Sequence, residues 1–310
     1  LLLLGSVLIG FGNASNQLSR YAAADLFPAS RRASAIGIVV WGATFGAIIG
    51  PNLVGWAGQV GESIGLPPLA GAYLLPIVFV GSAAFLSFAM LRPDPYRLAD
   101  QSDLGADDRS TVVSLRAVLA HPNVPVAMVS LITVQVVMTL IMTMTPLHMT
   151  AHGHGLTAVG IVISGHTFGM FALSPVSGRL TDRFGSIRVI IAGLAVTAMA
   201  AVMSALAPAD GGVILFLALF LLGYGWNLGF VAGSTLLTRG LGLAERTRVE
   251  GLTDALIWSS AAAASLGSGI VVAAASYTAL GLLGAALIII PAWLLLTRRR
   301  AVGIAGAAPG

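Results

Sequence analysis

Nine stretches of this chain each approach or exceed the ~20 apolar residues with which a helix spans ~30 Å of hydrocarbon. They are 1–20, 34–56, 70–91, 124–147, 157–178, 187–207, 211–235, 251–274 and 276–297. A segment in lipid must satisfy its own backbone hydrogen bonds, so each run reads as an α-helix. Only 9% of the 310 residues are charged, against about 25% in a soluble domain. That is too little charge to clothe a water-facing surface, and the mean hydropathy is +0.93. The expected fold class is all-α, a polytopic membrane helical bundle with nine transmembrane helices. Only Ala275 separates the last two runs, which calls for a very tight connection near Ser276.

The charges that remain are patterned. All sixteen basic residues are arginine, set in clusters at Arg20, Arg31 and Arg32, at Arg92, Arg97, Arg109 and Arg116, at Arg179, Arg183 and Arg188, at Arg239, Arg246 and Arg248, and at Arg298, Arg299 and Arg300. In a nine-crossing topology every cluster falls on one side, which the positive-inside rule makes cytoplasmic. The expectation is a multi-pass protein of the plasma (inner) membrane with a cytoplasmic C-terminus. The calculated pI of about 10.1 therefore reflects topology, and nucleic acid is not an expected partner. Cysteine is absent, so disulfides and thiolate metal sites are excluded. The chain opens on Leu1-Leu2-Leu3-Leu4 without an initiator Met, and is expected to be a fragment that begins inside a helix.

Residues 93–122 are the one long polar connection. Arg92-Pro93-Asp94-Pro95 stops a helix, and Asp100, Asp103, Asp107 and Asp108 make a hydrated segment. Ser110 to Leu119 then has the pattern of a short amphipathic helix, with Val112, Val113, Leu115, Val118 and Leu119 on its apolar side. The expected domains are 1–92, the remainder of an N-terminal half; 93–122, a cytoplasmic linker; 123–300, a six-helix C-terminal half; and 301–310, a disordered tail. An internal repeat supports two related halves. Ile9-Gly10-Phe11-Gly12 echoes Leu222-Gly223-Tyr224-Gly225, the Arg32 to Gly37 spacing recurs from Arg246 to Gly251, and Trp41-Gly42 echoes Trp258-Ser259. A parallel repeat of this kind is a transporter architecture. Its offset projects three further helices before residue 1, twelve in all.

Two stretches carry a resemblance. Between runs five and six stands Gly178-Arg179-Leu180-Thr181-Asp182-Arg183-Phe184-Gly185. Its glycines permit a tight turn, and Asp182 can face a helix N-terminus. The pattern resembles the loop signature G-x-L-x-D-R-x-G of the major facilitator superfamily of secondary transporters, whose last nine helices the layout matches. Ser186 and Ile187 replace the basic pair that usually follows, with Arg188 one place later. The second stretch is Gly42, Gly46, Gly50, Pro51 and Gly55, similar to the glycine-proline element in the fifth helix of the family's proton-coupled exporters. Glycines every fourth residue strip one helix face for close packing, and Pro51 removes a backbone donor. An arginine that such exporters carry in the fourth helix has no counterpart from Leu4 to Leu8. The resemblance implies that Gly178, Leu180, Asp182, Arg183 and Gly185 form a gating loop, with Asp182 bearing on a helix end in the opposite half near Ala33-Ser34.

Polar side chains within apolar runs are costly and by default face a cavity or another helix. Asn13, Asn16, Gln17 and Arg20 share one face of run one, and Gln135, Met138, Thr139, Met142 and Thr143 one face of run four. His166 stands mid-run five and Asn227 in run seven. The expected solute cavity is Asn13, Asn16, Gln17, Gln135, Thr139, Thr143, His166 and Asn227, each equally open to an interhelical hydrogen bond. Asp25, Glu250 and Asp254 lie within about a turn of the cytoplasmic ends, so His166 is the one deep titratable group and the possible proton site. His148, His152 and His154 read as a solvated outer loop, and no metal or cofactor is expected. No P-loop pattern is present. The leading expectation is a secondary transporter, not an enzyme. It would be monomeric, and would export a small amphiphilic organic solute against protons by alternating access. A facilitator or importer of a metabolite is the alternative within the class. A membrane-embedded enzyme using His166, or a non-transporting receptor, is the alternative outside it.

Overall fold

A computed structural model describes residues 2–93, 98, 115–208 and 212–304. Among the described residues the regular structure is wholly helical. The leading helices are α1 (Leu2–Asp25), α2 (Arg32–Ser63), the single turn α3 (Pro68–Gly71) and α4 (Leu74–Met90). The trailing helices are α5 (Leu115–Ala120), α6 (Asn123–Ala151), α7 (Leu156–Phe171), α8 (Ser174–Phe184), α9 (Ser186–Leu206), α10 (Gly212–Leu237), α11 (Leu243–Ala274), α12 (Tyr277–Leu287) and α13 (Ile289–Ile304). Six stretches are long and apolar enough to cross a membrane: Asn123–Ala151, Thr157–Phe184, Ser186–Leu206, Gly212–Leu237, Leu243–Ala274 and Tyr277–Arg298. Leu74–Met90 is a shorter apolar helix.

Several expected boundaries change. The Asp182 motif is not a loop: α8 runs through Gly178, Leu180, Asp182 and Arg183 to Phe184, and only Gly185 turns, at φ +86°. That value belongs to the left-handed region that glycine enters without a Cβ penalty. The eighth run begins at Leu243 rather than 251, where Glu245 reaches back to accept from Gly242 N–H at 2.9 Å. Arg246 and Arg248 are thus helical residues, not loop residues. Residues 301–304 of the expected tail continue α13; 305–310 lie outside the described residues. So does most of the linker, of whose amphipathic segment α5 alone is seen. The tight connection at Ser276 is present, its hydroxyl accepting from Ala279 N–H at 3.0 Å to cap α12.

The packing centre is α10. Between helices in lipid there is little hydrophobic driving force, so van der Waals fit and small residues decide the approach. A Cβ on Gly193 of α9 would stand 2.8 Å from Gly229 N, and one on Gly169 of α7 only 3.1 Å from Tyr224 N. Leu131, Val134, Val137 and Ile141 of α6 and Leu215, Leu219, Leu222 and Leu236 of α10 are buried. Outward-facing side chains are apolar as well: Phe85 and Phe88 of α4 are 69% and 72% exposed.

The expected glycine face of α2 behaves differently. Nothing lies within 4 Å of where a Cβ would stand on Gly42, Gly46, Gly50 or Gly55, and α2 continues unbroken through Pro51. No described residue makes the close approach expected there. One close crossing of α2 lies a turn earlier, at Gly37, whose Cβ would meet Ser174 O at 2.5 Å and Gly178 Cα at 3.4 Å, and another lies later, where a Cβ on Gly61 would meet Gly71 Cα of α3 at 2.6 Å.

Candidate functional site

The Gly37–Gly178 crossing sets the first element of the site. With no side chains between them, α8 lies against the N-terminus of α2, where four backbone N–H groups lack intrahelical partners. Asp182, one turn beyond Gly178, fills that position. Its Oδ1 accepts from Ala33 N–H at 3.1 Å, and its Oδ2 from Ser34 N–H at 2.9 Å and from the Ser34 hydroxyl. A carboxylate at a helix N-terminus gains about 0.3–1 kcal/mol, and up to ~2 when partly buried. Beside it lies a cavity of about 270 Å³ lined by Ser30, Arg32, Thr181, Asp182, Ser186 and Arg239 among others.

The second element joins the leading and trailing helices through charge. Arg20, 2% exposed near the end of α1, donates from Nη2 to Asp254 Oδ1 at 2.7 Å and to Tyr21 OH at 3.1 Å. Its Nη1 donates to Gln17 Oε1 at 2.8 Å and its Nε to Ser234 Oγ at 3.4 Å. The guanidinium also lies over the rings of Tyr21 and Phe230, 4.3 and 4.5 Å from their centroids. A second pair runs in parallel, Arg246 Nη1 to Asp25 Oδ1 at 3.1 Å. Arg246, Glu250 and Asp254 follow one another at i+4, so one face of α11 meets α1 with all three. With the arginines buried and the aspartates largely so, removing one partner strands the other.

Among the described residues, the polar side chains of the apolar runs have separate sets of partners. Gln135 Oε1 accepts from Trp226 Nε1 at 2.8 Å, and its Nε2 donates to Thr139 Oγ1 at 3.3 Å. Trp226 stacks on Phe230, centroids 4.4 Å apart, so a continuous column runs from Gln135 to Arg20. Asn227 faces the other way. Its Nδ2 donates to Met170 O at 2.6 Å and to Ser174 Oγ, and its Oδ1 accepts from Ser177 Oγ. It ties α10 across the α7–α8 break rather than lining a cavity. His166, 1% exposed, donates from Nδ1 to Leu219 O at 2.9 Å. Its Nε2 is buried without a partner, so a second proton there would have no acceptor. Gln17 is committed to Arg20; Asn13 and Thr143 are half-buried and Asn16 exposed. Asn227 and His166 thus both make hydrogen bonds between helices.

The outer histidines are also partly structural. His148 stacks on Tyr277 at 4.2 Å, and His152 Nδ1 lies 2.8 Å from His148 O. Among the described residues no three His, Asp or Glu side chains stand where they could hold a metal ion.

Comparison with known proteins decides the class. The Major Facilitator Superfamily profile matches residues 1–263 and, again, 127–309. The chain belongs to the Major Facilitator Superfamily. It is 39% identical over 292 residues to the uncharacterized MFS-type transporter YddS of Bacillus subtilis, covering 93% of this chain and 67% of that one. YdeG of the same organism is 38% identical over 296 residues, 94% of this chain and 69% of that one. The riboflavin transporter RfnT of Brucella anthropi is 30% identical over 275 residues, 86% of this chain and 64% of its own. This superfamily member is therefore a multi-pass membrane protein of a transporter family.

Within this superfamily member, sequence reasoning missed Arg20, Asp25, Arg246, Glu250 and Asp254 as one site. The signal was present in the i, i+4, i+8 spacing on α11. It was hidden because hydropathy alone starts that helix at 251 and leaves Arg246 in a loop.

The Asn227 brace carries a testable cost. Asn227→Leu is expected to destabilise the bundle by about 1–2 kcal/mol, the upper range for an interhelical hydrogen bond in a membrane protein. Thermal unfolding in detergent measures it; an unchanged Tm would show that the brace contributes nothing.

Proposed function

We propose that this chain is a secondary transporter working by alternating access between two halves, 1–92 and 123–300, and exporting a small amphiphilic organic solute against protons. The observation that carries the reading is the pair of contacts between leading and trailing helices, Asp182 on α2 and Arg20–Asp254 with Asp25–Arg246 on α1 and α11. All lie at the arginine-bearing ends, the cytoplasmic side under the positive-inside rule. Together they form a closure of that face that can open only by breaking polar contacts. The solute path is then bounded by Asn13, Asn16, Thr139 and Thr143, whose polar groups are not buried away. The riboflavin transporter among the relatives makes a planar heteroaromatic solute the first to try, and it favours a second reading in which a flavin-like metabolite is carried.

Proteoliposomes containing the purified protein, with a pH gradient imposed and riboflavin or fluorescent amphiphilic cations as probes, test the reading. Gradient-dependent movement of one probe class supports it; no movement of any probe with either polarity of gradient removes it. Asp182→Asn keeps the shape but loses the charge and one acceptor. It is expected to leave Tm nearly unchanged while lowering transport several-fold, about what ~1 kcal/mol shifts in a two-state equilibrium. Native transport rates in that variant would show that the contact does not gate.

A further inference from the structure

The two ion pairs account for Arg20, Asp254, Arg246 and Asp25, but not for the carboxylate that lies between them on α11. Glu250 is 5% exposed and its Oε1 has no hydrogen-bond partner among the described residues. Its surroundings are set by elements on all sides. From α1 come Arg20, Tyr21 and Asp25, and from α11 itself Arg246 and Asp254, with Glu245 and Arg248 in the preceding turns. The neighbouring α6 has no titratable side chain except His148 at its far end, and α10 has only Tyr224. On α5 the one charged side chain, Arg116, is exposed, and α12 carries only Tyr277. Counting Glu250 itself, the cluster of Arg20, Asp25, Arg246, Glu250 and Asp254 thus holds three carboxylates and two guanidiniums. Both guanidiniums already hold an aspartate across the contact between leading and trailing helices.

We propose that Glu250 binds the coupling proton and that its protonation state decides whether the α1–α11 contact is closed. The inference rests on the alternating-access reading and gives it a specific ion site, in place of His166. With the proton on Glu250, each guanidinium has one aspartate, and the pairs Arg20–Asp254 and Arg246–Asp25 hold α1 against α11. When the proton leaves, a third carboxylate lies buried between two cations. An unpaired buried charge is costly, so it draws on Arg246, one turn before it, or on Arg20. Either choice weakens a pair that spans the contact. Proton release therefore favours opening of the arginine-bearing face, and proton uptake favours closing it. His166 lacks this link, because among the described residues its bond is to Leu219 O within the trailing helices.

Two readouts on the purified protein in lipid nanodiscs test the proposal. An infrared titration between about pH 5 and pH 9 follows the carbonyl band of a protonated carboxyl group. That band is expected in the native chain and in His166→Gln, lost in Glu250→Gln, and restored with a shifted midpoint in Glu250→Asp. A band that survives Glu250→Gln overturns the assignment and moves the proton elsewhere, Asp254 first. The absence of any titrating band overturns it as well. The chain has no cysteine, so spin labels at Leu26→Cys and Phe184→Cys report the separation of the two segments at the arginine-bearing face. The ratio of separated to close populations is expected to rise with pH, by at most about tenfold per pH unit for one linked proton, and to lose that slope in Glu250→Gln. A Glu250-dependent band with distances that ignore pH overturns the link to closure. Distances that stay fixed with pH and also after Asp182→Asn remove the alternating-access reading itself.

Discussion

Arg20→Leu is expected to destabilise the protein by about 3–5 kcal/mol, the usual result of removing one partner from a buried ion pair. Few single side chains here hold so many groups at once. Its guanidinium donates to Asp254, Gln17, Tyr21 and Ser234 and covers the rings of Tyr21 and Phe230. Leucine leaves Asp254 charged and poorly solvated, so the loss exceeds the worth of the pair itself. The measurement is thermal unfolding in detergent together with the yield of monodisperse protein. The double variant Arg20→Leu, Asp254→Leu is expected to recover much of the loss, because it removes the stranded charge along with its partner. A single variant that melts like the native chain would mean that Arg20 is not enclosed as described.

Gly178→Val should separate α8 from α2. A Cβ at Gly178 meets Ala33 O at 2.6 Å and Ser34 Cα at 2.9 Å, both backbone atoms that no rotamer change can move aside. Overpacking costs about 1–3 kcal/mol, and retreat of α8 also takes Asp182 from the N–H groups of Ala33 and Ser34. The expected outcome is a longer Leu26–Phe184 spin-label distance, with transport falling further than in Asp182→Asn. Gly178→Ala should show the same direction to a smaller degree, and a native distance in Gly178→Val would refute the crossing geometry. Since Gly37 faces the same crossing, Gly37→Val serves as an independent repeat.

The membrane class and the helical character were legible because the hydrocarbon core sets both a length and a composition for any segment that crosses it. Each of the nine apolar runs overlaps a helix, and six stretches meet the length and composition of a crossing. The reach of Asp182 toward Ala33-Ser34 was legible too, though only through the resemblance of the motif around it. Its setting was not, since a glycine-flanked, charged stretch reads as a loop until α8 is seen to carry it to Phe184.

The glycine pattern misled in an instructive way. Gly42, Gly46 and Gly50 have the regular spacing, but no described residue comes within 4 Å of where their Cβ atoms would stand, whereas Gly37 and Gly178 lie in a close crossing of α2 with α8. Spacing shows that a helix face is bare; it does not name the helix that comes to it. The polar stripes divided for the same reason. Gln135 and Asn227 look alike as amides in apolar runs, yet one holds Trp226 and the other ties α10 across the break at Ala172-Leu173.

From its sequence alone this protein is legible as a helical membrane protein, with a motif that resembles the Major Facilitator Superfamily. The membrane class follows from transfer of side chains between water and lipid, which depends on local composition. Tertiary structure alone decided that Arg20, Asp25, Arg246, Glu250 and Asp254 form one largely enclosed group. Their positions span 234 residues from Arg20 to Asp254, and pairing between groups so distant depends on which helix faces meet. Hydropathy does not encode that choice, because every apolar helix face is equally at home in lipid.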